Sequence, residues 1–361
     1  MIYSIVSRLP PSIDGIGDYA LNLARQLRKD FNVQTHFIVG YPEWNGELEI
    51  EGFSISQVLD SDSNQLTTLL VGDSPSSVLL HYVGYGYAKR GCPIWLIEGL
   101  QRWKSLYPQR SLITMFHEVF TSGTPPWTSS FWLSPLQKNL VFRLSQLSDS
   151  CITNNQNYAD TLIKLSNGKH PQIRVLPVFS NIGEPRLLLP LSKRSKQLIL
   201  FGLVPQRIRA YQQCKETLVD VCQSLGIQEI LDLGTPTGKT PPVIGNVPIL
   251  ELGQQPSAKI SDIMKNSIAG FLSYNPNFLG KSGVFAAYCA HRLIPINAKS
   301  NNSLANEIKE GENYWVPSKN SVKDIKMLQL IADNAHAWYS DHNLSIQSKK
   351  FFEIFQQLNL Q

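Results

Sequence analysis

Short apolar runs alternate with amphipathic stretches, and the alternation occurs twice along the chain. No other feature of this sequence constrains its fold as much. Met1–Val6 reads as a buried strand, Ser7–Gly17 (SRLPPSIDGIG) as a loop, Asp18–Arg28 as a helix and Val33–Val39 as a strand. Within the helix, Tyr19, Leu21, Leu23, Ala24 and Leu27 recur at helical period. Further strands are predicted at Val78–Val83, Ser111–Phe116, Ser150–Thr153 and Ile173–Val178. Helices are predicted from Pro93 to Leu106, over Leu136–Leu147 and over Asn157–Leu165. Asn181–Lys196 breaks the rhythm and reads as a domain connection. The pattern then restarts with strands at Gln197–Leu203, Ile227–Gly234 and Val247–Leu252, and helices at Tyr211–Leu225 and Ser257–Asn266. Tyr314–Pro317 is a late strand, followed by helices Val322–Trp338 and Leu344–Leu358. Parallel strands need crossovers, and helical crossovers cover both sheet faces. The predicted class is α/β: two doubly wound Rossmann-like domains facing a cleft. The boundaries fall at 1–185 and 186–340, with a C-terminal helix, 341–361, able to pack back on the first domain.

At 361 residues the chain exceeds one ordinary core, which agrees with two domains. A net charge of +5 is modest for this size: it allows an anionic substrate or weak attraction to an anionic membrane, and does not argue for a nucleic-acid binder. The five cysteines are odd in number and form no C-x-x-C, so a disulfide framework or zinc site is not expected. The N-terminal run MIYSIVSRLPP is too short for a signal peptide or a membrane span. The expected location is cytoplasmic, with peripheral contact to the inner membrane face left open.

The stretch LSYNPNFLGKSGVFAAYCAHRLIPIN, Leu272–Asn297, carries the richest chemistry. An apolar run, Ile268–Tyr274, leads into a loop with Lys281, Ser282 and Gly283. A helix, Val284–Arg292, and a strand, Leu293–Asn297, follow. A helix start has unpaired N–H groups and partial positive charge, so it suits a diphosphate; a plain glycine turn is the competing reading. Arg207 and Arg209 stand in a second cation-bearing loop, VPQRIRA, and an arginine fork suits diphosphate oxygens. Gly15 and Gly17 lie after the first strand, but Ala20 stands where the dinucleotide fingerprint needs its third glycine. His117 and Glu118 sit at the end of a strand, where ligands gather in open α/β sheets. His117 there is a proton carrier or hydrogen-bond donor, or a histidine tied to the loop backbone. The loop Val119–Pro135 holds Trp127, Phe131 and Trp132, which could line an acceptor pocket, lie against lipid or fold back on the domain. The GKT at Gly238 lacks the earlier glycine of a P-loop, and DSDS (Asp60, Asp62) reads as a turn or helix cap.

With these segments in view, the chain resembles the GT-B glycosyltransferases, closest to the retaining family with glycogen-synthase-like and sucrose-synthase-like members (glycosyltransferase family 4-like). The likeness rests on LPPSIDGIGDYALNLARQL, MFHE, VLPVFSNIGEP, LFGLVPQRIRA and the Leu272–Asn297 stretch. It implies a metal-independent, retaining transfer from a UDP- or GDP-sugar to an acceptor hydroxyl, with no cofactor. It implies catalytic roles for His117, Lys281 and Arg207. Donor contacts would come from Gly15, Gly17, Arg209, Ser282, Gly283 and Tyr274, with Glu118 and Trp127 on the acceptor side. One departure stands out: Leu279 and Ala287 occupy the places of the family's glutamate pair. That loss keeps two alternatives in play, a non-catalytic GT-B-like scaffold and a nucleotide-sugar epimerase on the same fold.

Overall fold

The computed structural model describes residues 1–71, 77–121, 125–300, 307–317 and 324–359. Residues 122–124 of the aromatic loop, 322–323 of an expected helix and the last two of 341–361 lie outside the described residues. The chain divides into two compact units: Met1–Pro177 joined by the C-terminal helix, and Val178–Asn343.

The first unit is one sheet of β1 (Ile2–Val6), β2 (Thr35–Val39), β3 (Glu49–Ile50), β4 (Phe53–Gln57), β5 (Ser77–Tyr82), β6 (Ser111–Phe116), β7 (Ser150–Thr153) and β8 (Arg174–Val175). Its order is β3-β4-β2-β1-β5-β6-β7-β8, and only β3–β4 is antiparallel. The helices are α1 (Gly15–Phe31), α2 (Ser63–Leu69), α3 (Gly84–Tyr87), α4 (Ile94–Leu106), α5 (Ser129–Leu147) and α6 (Gln156–Leu165). Every residue of β1, β5 and β6 is buried, as strands covered on both faces must be. Asp14 caps α1 by accepting from the Ile16 N–H at 3.2 Å, and Asn32 ends it in the left-handed region at φ 54°. Asp62 likewise caps α2, accepting from the Asn64 N–H.

The second unit holds β9 (Ser195–Phe201), β10 (Glu229–Leu233), β11 (Val243–Ile244), β12 (Val247–Gly253), β13 (Ser267–Leu272) and β14 (Ile294–Asn297). The order is β11-β12-β10-β9-β13-β14, with only β11–β12 antiparallel. Around it lie α7 (Val204–Gln212), α8 (Lys215–Leu225), α9 (Ser257–Asn266), α10 (Gly283–Ala290) and α11 (Ile325–Ser340). The chain ends in α12 (Leu344–Asn359), which returns to the first unit. There Phe352 stacks on Phe31 at 4.2 Å between centroids, and Gln347 accepts from the Tyr19 hydroxyl.

Three expectations change. α5 begins at Ser129 rather than Leu136, with Pro135 inside it. The expected helix Tyr211–Leu225 is two helices, α7 and α8, and α7 takes in the arginine loop. Tyr314–Pro317 makes only isolated bridges. Among the described residues no helix is long and apolar enough to cross a membrane.

Candidate functional site

In the second sheet the parallel strands read, by order of appearance, 3-2-1-4-5, so the winding reverses between β9 and β13. Ligands of open α/β sheets sit beyond the strand ends at that reversal. An open crevice of about 370 Å³, part of it solvent, lies there. Phe201 and Gln206 line one side, Ser273 and Tyr274 another, and Ser282 and Val284 bring in the start of α10.

Local sequence explains how the crevice is held open. Gly202 ends β9 at φ 130°, a conformation that L side chains rarely adopt. A Cβ there would also come within 2.9 Å of Gln206 Oε1 and 3.2 Å of Val284 Cγ2, so α7 and α10 start close together. Gln206 Oε1 accepts from the Leu203 N–H at 3.1 Å and fixes the entry to α7. On the other strand, buried Asn297 clamps the backbone of Tyr274 from both sides, accepting its N–H and donating to its carbonyl at 3.0 Å each. A short 3-10 turn, Pro276–Lys281, then leads to Ser282, whose hydroxyl caps α10 by accepting from the Phe285 N–H at 3.2 Å. The first-turn amides of Gly283 and Val284 have no acceptor inside the helix.

Gly283 meets no atom within 4 Å of an added Cβ, and its backbone is ordinary. Neither packing nor strain demands glycine there. Lys281 is half-buried beside it, with Nζ 5.9 Å from the centre of the Phe278 ring. Of the residues expected here, Tyr274 and Ser282 line the crevice, and Lys281 and Gly283 lie on the same loop outside its lining. Sequence reasoning misses Ser273, whose buried hydroxyl lines the crevice with no hydrogen-bond partner. A serine directly after a buried strand is the signal that marks it.

Arg207 departs from expectation. It is part of the crevice lining but only 1% exposed, and each of its three guanidinium nitrogens is hydrogen-bonded within the protein. Nε donates to the Gly202 carbonyl at 3.0 Å, Nη1 pairs with Asp232 Oδ1, and Nη2 donates to the Thr235 carbonyl. The cause is Asp232, fully buried in β10, which also takes the Tyr211 hydroxyl. Burial and the adjoining carboxylate raise the Tyr211 pKa. Arg207 therefore ties β9, β10 and the loop after β10 together. Arg209 is half-buried on α7 and does not line the crevice.

In the first unit the winding reverses between β1 and β5. Gly17 is explained from within, because a Cβ there would fall 2.3 Å from the Arg8 carbonyl oxygen. Gly15 is exposed and would meet nothing. His117 follows β6 as expected but is buried, with Nε2 3.1 Å from His81 Nδ1. Tyr19 packs edge-on against both rings. Burial drives the His81 pKa down to about 3, so it is neutral. Its Nε2 is buried without a partner. A bare lone pair costs less there than an orphan N–H. That places the His81 proton on Nδ1, donating to His117 Nε2. Glu118 is half-buried beside His117. Trp127 is 85% exposed.

Comparison with known proteins finds no matching family model and no matching curated sequence. Solved structures do match across the chain. An α-glucosyltransferase in complex with UDP and a 13-mer DNA containing an HMU base aligns at TM-score 0.59 and 11% identity, over 99% of each chain. The UDP-GlcNAc 2-epimerase from Methanocaldococcus jannaschii aligns at TM-score 0.57 and 11% identity, over 99% of this chain and 100% of that one. The lipopolysaccharide outer core galactosyltransferase WaaB in its apo form aligns at 0.56 and 11%, over 99% and 100%. At such identity the likeness speaks for the fold, which is GT-B: two Rossmann-like domains, each with helices flanking a mainly parallel sheet.

Proposed function

We propose that this chain is a glycosyltransferase. It moves a sugar from a nucleoside-diphosphate sugar to an acceptor hydroxyl, keeps the anomeric configuration and uses no metal. One observation carries this reading: the second unit's crevice lies at the sheet reversal and is lined by Ser282 and Val284 at the start of α10, with Lys281 and Gly283 next to them in the chain. In the transfer, the bond from the anomeric carbon to the diphosphate oxygen breaks and a bond to the acceptor oxygen forms. The acceptor proton passes to the departing phosphate. Negative charge grows on the diphosphate, where Lys281 and the amides of Gly283 and Val284 stabilise it. Tyr274 and Ser273 contact the donor, Ser282 holds the helix start in place, and Arg207 shapes the floor without touching the ligand. The first unit binds the acceptor, with His117 donating to a sugar hydroxyl and Glu118 alongside.

Two of the three neighbours named above carry UDP in their descriptions, so uridine donors come first in testing. The acceptor is proposed to be other than nucleic acid, in keeping with a net charge of only +5. Incubation with UDP- and GDP-sugars, followed by nucleotide release and product analysis, tests the reading. Release of nucleoside diphosphate that rises with an added hydroxyl acceptor supports transfer. The epimerase neighbour motivates a second outcome, in which the sugar changes configuration without any acceptor. Neither release nor binding with any donor means a scaffold.

A further inference from the structure

The outer face of α5 has no use in the reading above, and its composition is unusual. Trp127 and Trp132 are 85% and 72% exposed, and Phe131, Leu136 and Phe142 are exposed with them. Leu140, Val141 and Leu144 of the same helix are buried, so α5 is apolar on its inner face and aromatic on its outer one. Trp132 donates its indole N–H to the Pro126 carbonyl at 2.8 Å, which ties the loop of Trp127 to the first turn. Isolated exposed apolar residues are ordinary, but five of them between Trp127 and Phe142, three aromatic ones in the first turn and just before it, are a concentration that marks a contact surface.

Charge identifies the occupant. α5 contains Lys138 and Arg143 and not one acidic residue. A second basic group is held against it. Gln137 of α5 donates to the Arg90 carbonyl at 3.0 Å, and Tyr85 bonds Ser130 at 2.9 Å, so the exposed Lys89–Arg90 turn sits alongside the helix. Exposed tryptophans on a unit that also exposes Lys138, Lys89 and Arg90 have the composition of a surface that rests in the headgroup layer of an anionic bilayer. We infer that the Trp127–Phe142 face of the first unit, with Lys89 and Arg90, docks on an anionic lipid membrane without spanning it. This inference is independent of the transfer chemistry.

Vesicle flotation tests it, comparing phosphatidylcholine vesicles with vesicles containing about one-third phosphatidylglycerol. The wild type should float with the anionic vesicles, and binding should fall as salt rises. Trp127→Ser with Trp132→Ser should lower the partition coefficient about tenfold or more, and Lys89→Glu with Arg90→Glu should lower it mainly at low salt. All four side chains are exposed, and circular dichroism checks that each variant stays folded. Wild type that stays with the unbound fraction at low salt overturns the proposal, as does a tryptophan variant that floats equally well. A dimer in light scattering that the tryptophan variant dissolves also overturns it, because a second copy then covers the face.

Discussion

Replacing Arg207 with methionine separates two roles for that residue, a ligand contact or an internal strut. The substitution removes three hydrogen bonds at once: to the Gly202 carbonyl, the Asp232 carboxylate and the Thr235 carbonyl. It keeps most of the side-chain volume, so cavity formation contributes little. The dominant cost is Asp232, whose carboxylate is fully buried and would keep only the Tyr211 hydroxyl as a partner. Breaking one side of a buried ion pair costs about 3–5 kcal/mol, because the other charge is left uncompensated. Asp232→Asn with Arg207→Met removes both charges and should recover about half of that loss or more. Urea denaturation of wild type, Arg207→Met and the double variant provides the comparison. A midpoint for Arg207→Met within error of wild type refutes the strut and makes Arg207 available to a ligand again.

Other consequences are as specific. Gly17→Ala drives a Cβ into the Arg8 carbonyl at 2.3 Å and should cost about 1–3 kcal/mol or more, whereas Gly15→Ala meets nothing and should be neutral in the same thermal melts. Ser282→Ala removes the cap of α10 and should cost about 0.5–2 kcal/mol by urea denaturation. Stability should fall with acid: burial lowers the folded pKa of His81 to about 3 and of His291 to about 4, and lowers those of His36 and His170 as well. The unfolded chain binds these protons near pH 6.5, so stability is present above that pH and is lost below it, by about 1.4 kcal/mol per pH unit for each proton. Asp18 opposes this. Burial, then Asp14, raises its pKa to about 6, so it stabilises the fold most at low pH and loses that contribution as pH rises through about 6. One such carboxylate against His81 and His291 leaves the net slope positive between pH 4 and 6.5, and His36 and His170 add to it in the same direction; denaturation at each pH reads it.

The winding of both units is legible because strands buried on both faces are nearly continuous apolar runs and their crossover helices are amphipathic. Helix α9 falls where its periodicity places it, at Ser257–Asn266. Pro135 hid the start of α5, since a proline normally marks a helix boundary. The crevice loop is legible in part. Lys281, Ser282 and Gly283 announce themselves by type and order. The engagement of Arg207 does not, because its partner Asp232 lies on a different strand, and in sequence an arginine for an internal carboxylate looks like one for a phosphate. The same holds for His117, whose neighbour His81 arrives from β5.

The central claim is that the start of α10 receives a diphosphate, and Gly283→Ala tests it most directly. Alanine favours a helix over glycine by about 1 kcal/mol and has open space here, so the melting temperature should hold or rise. Calorimetric titration with UDP and GDP should show wild type binding at least one of them. Gly283→Ala should bind it about tenfold or more weakly, because the new methyl group stands where the phosphates approach. A wild type that binds neither nucleotide, or a Gly283→Ala protein that binds as tightly as wild type, would contradict the account.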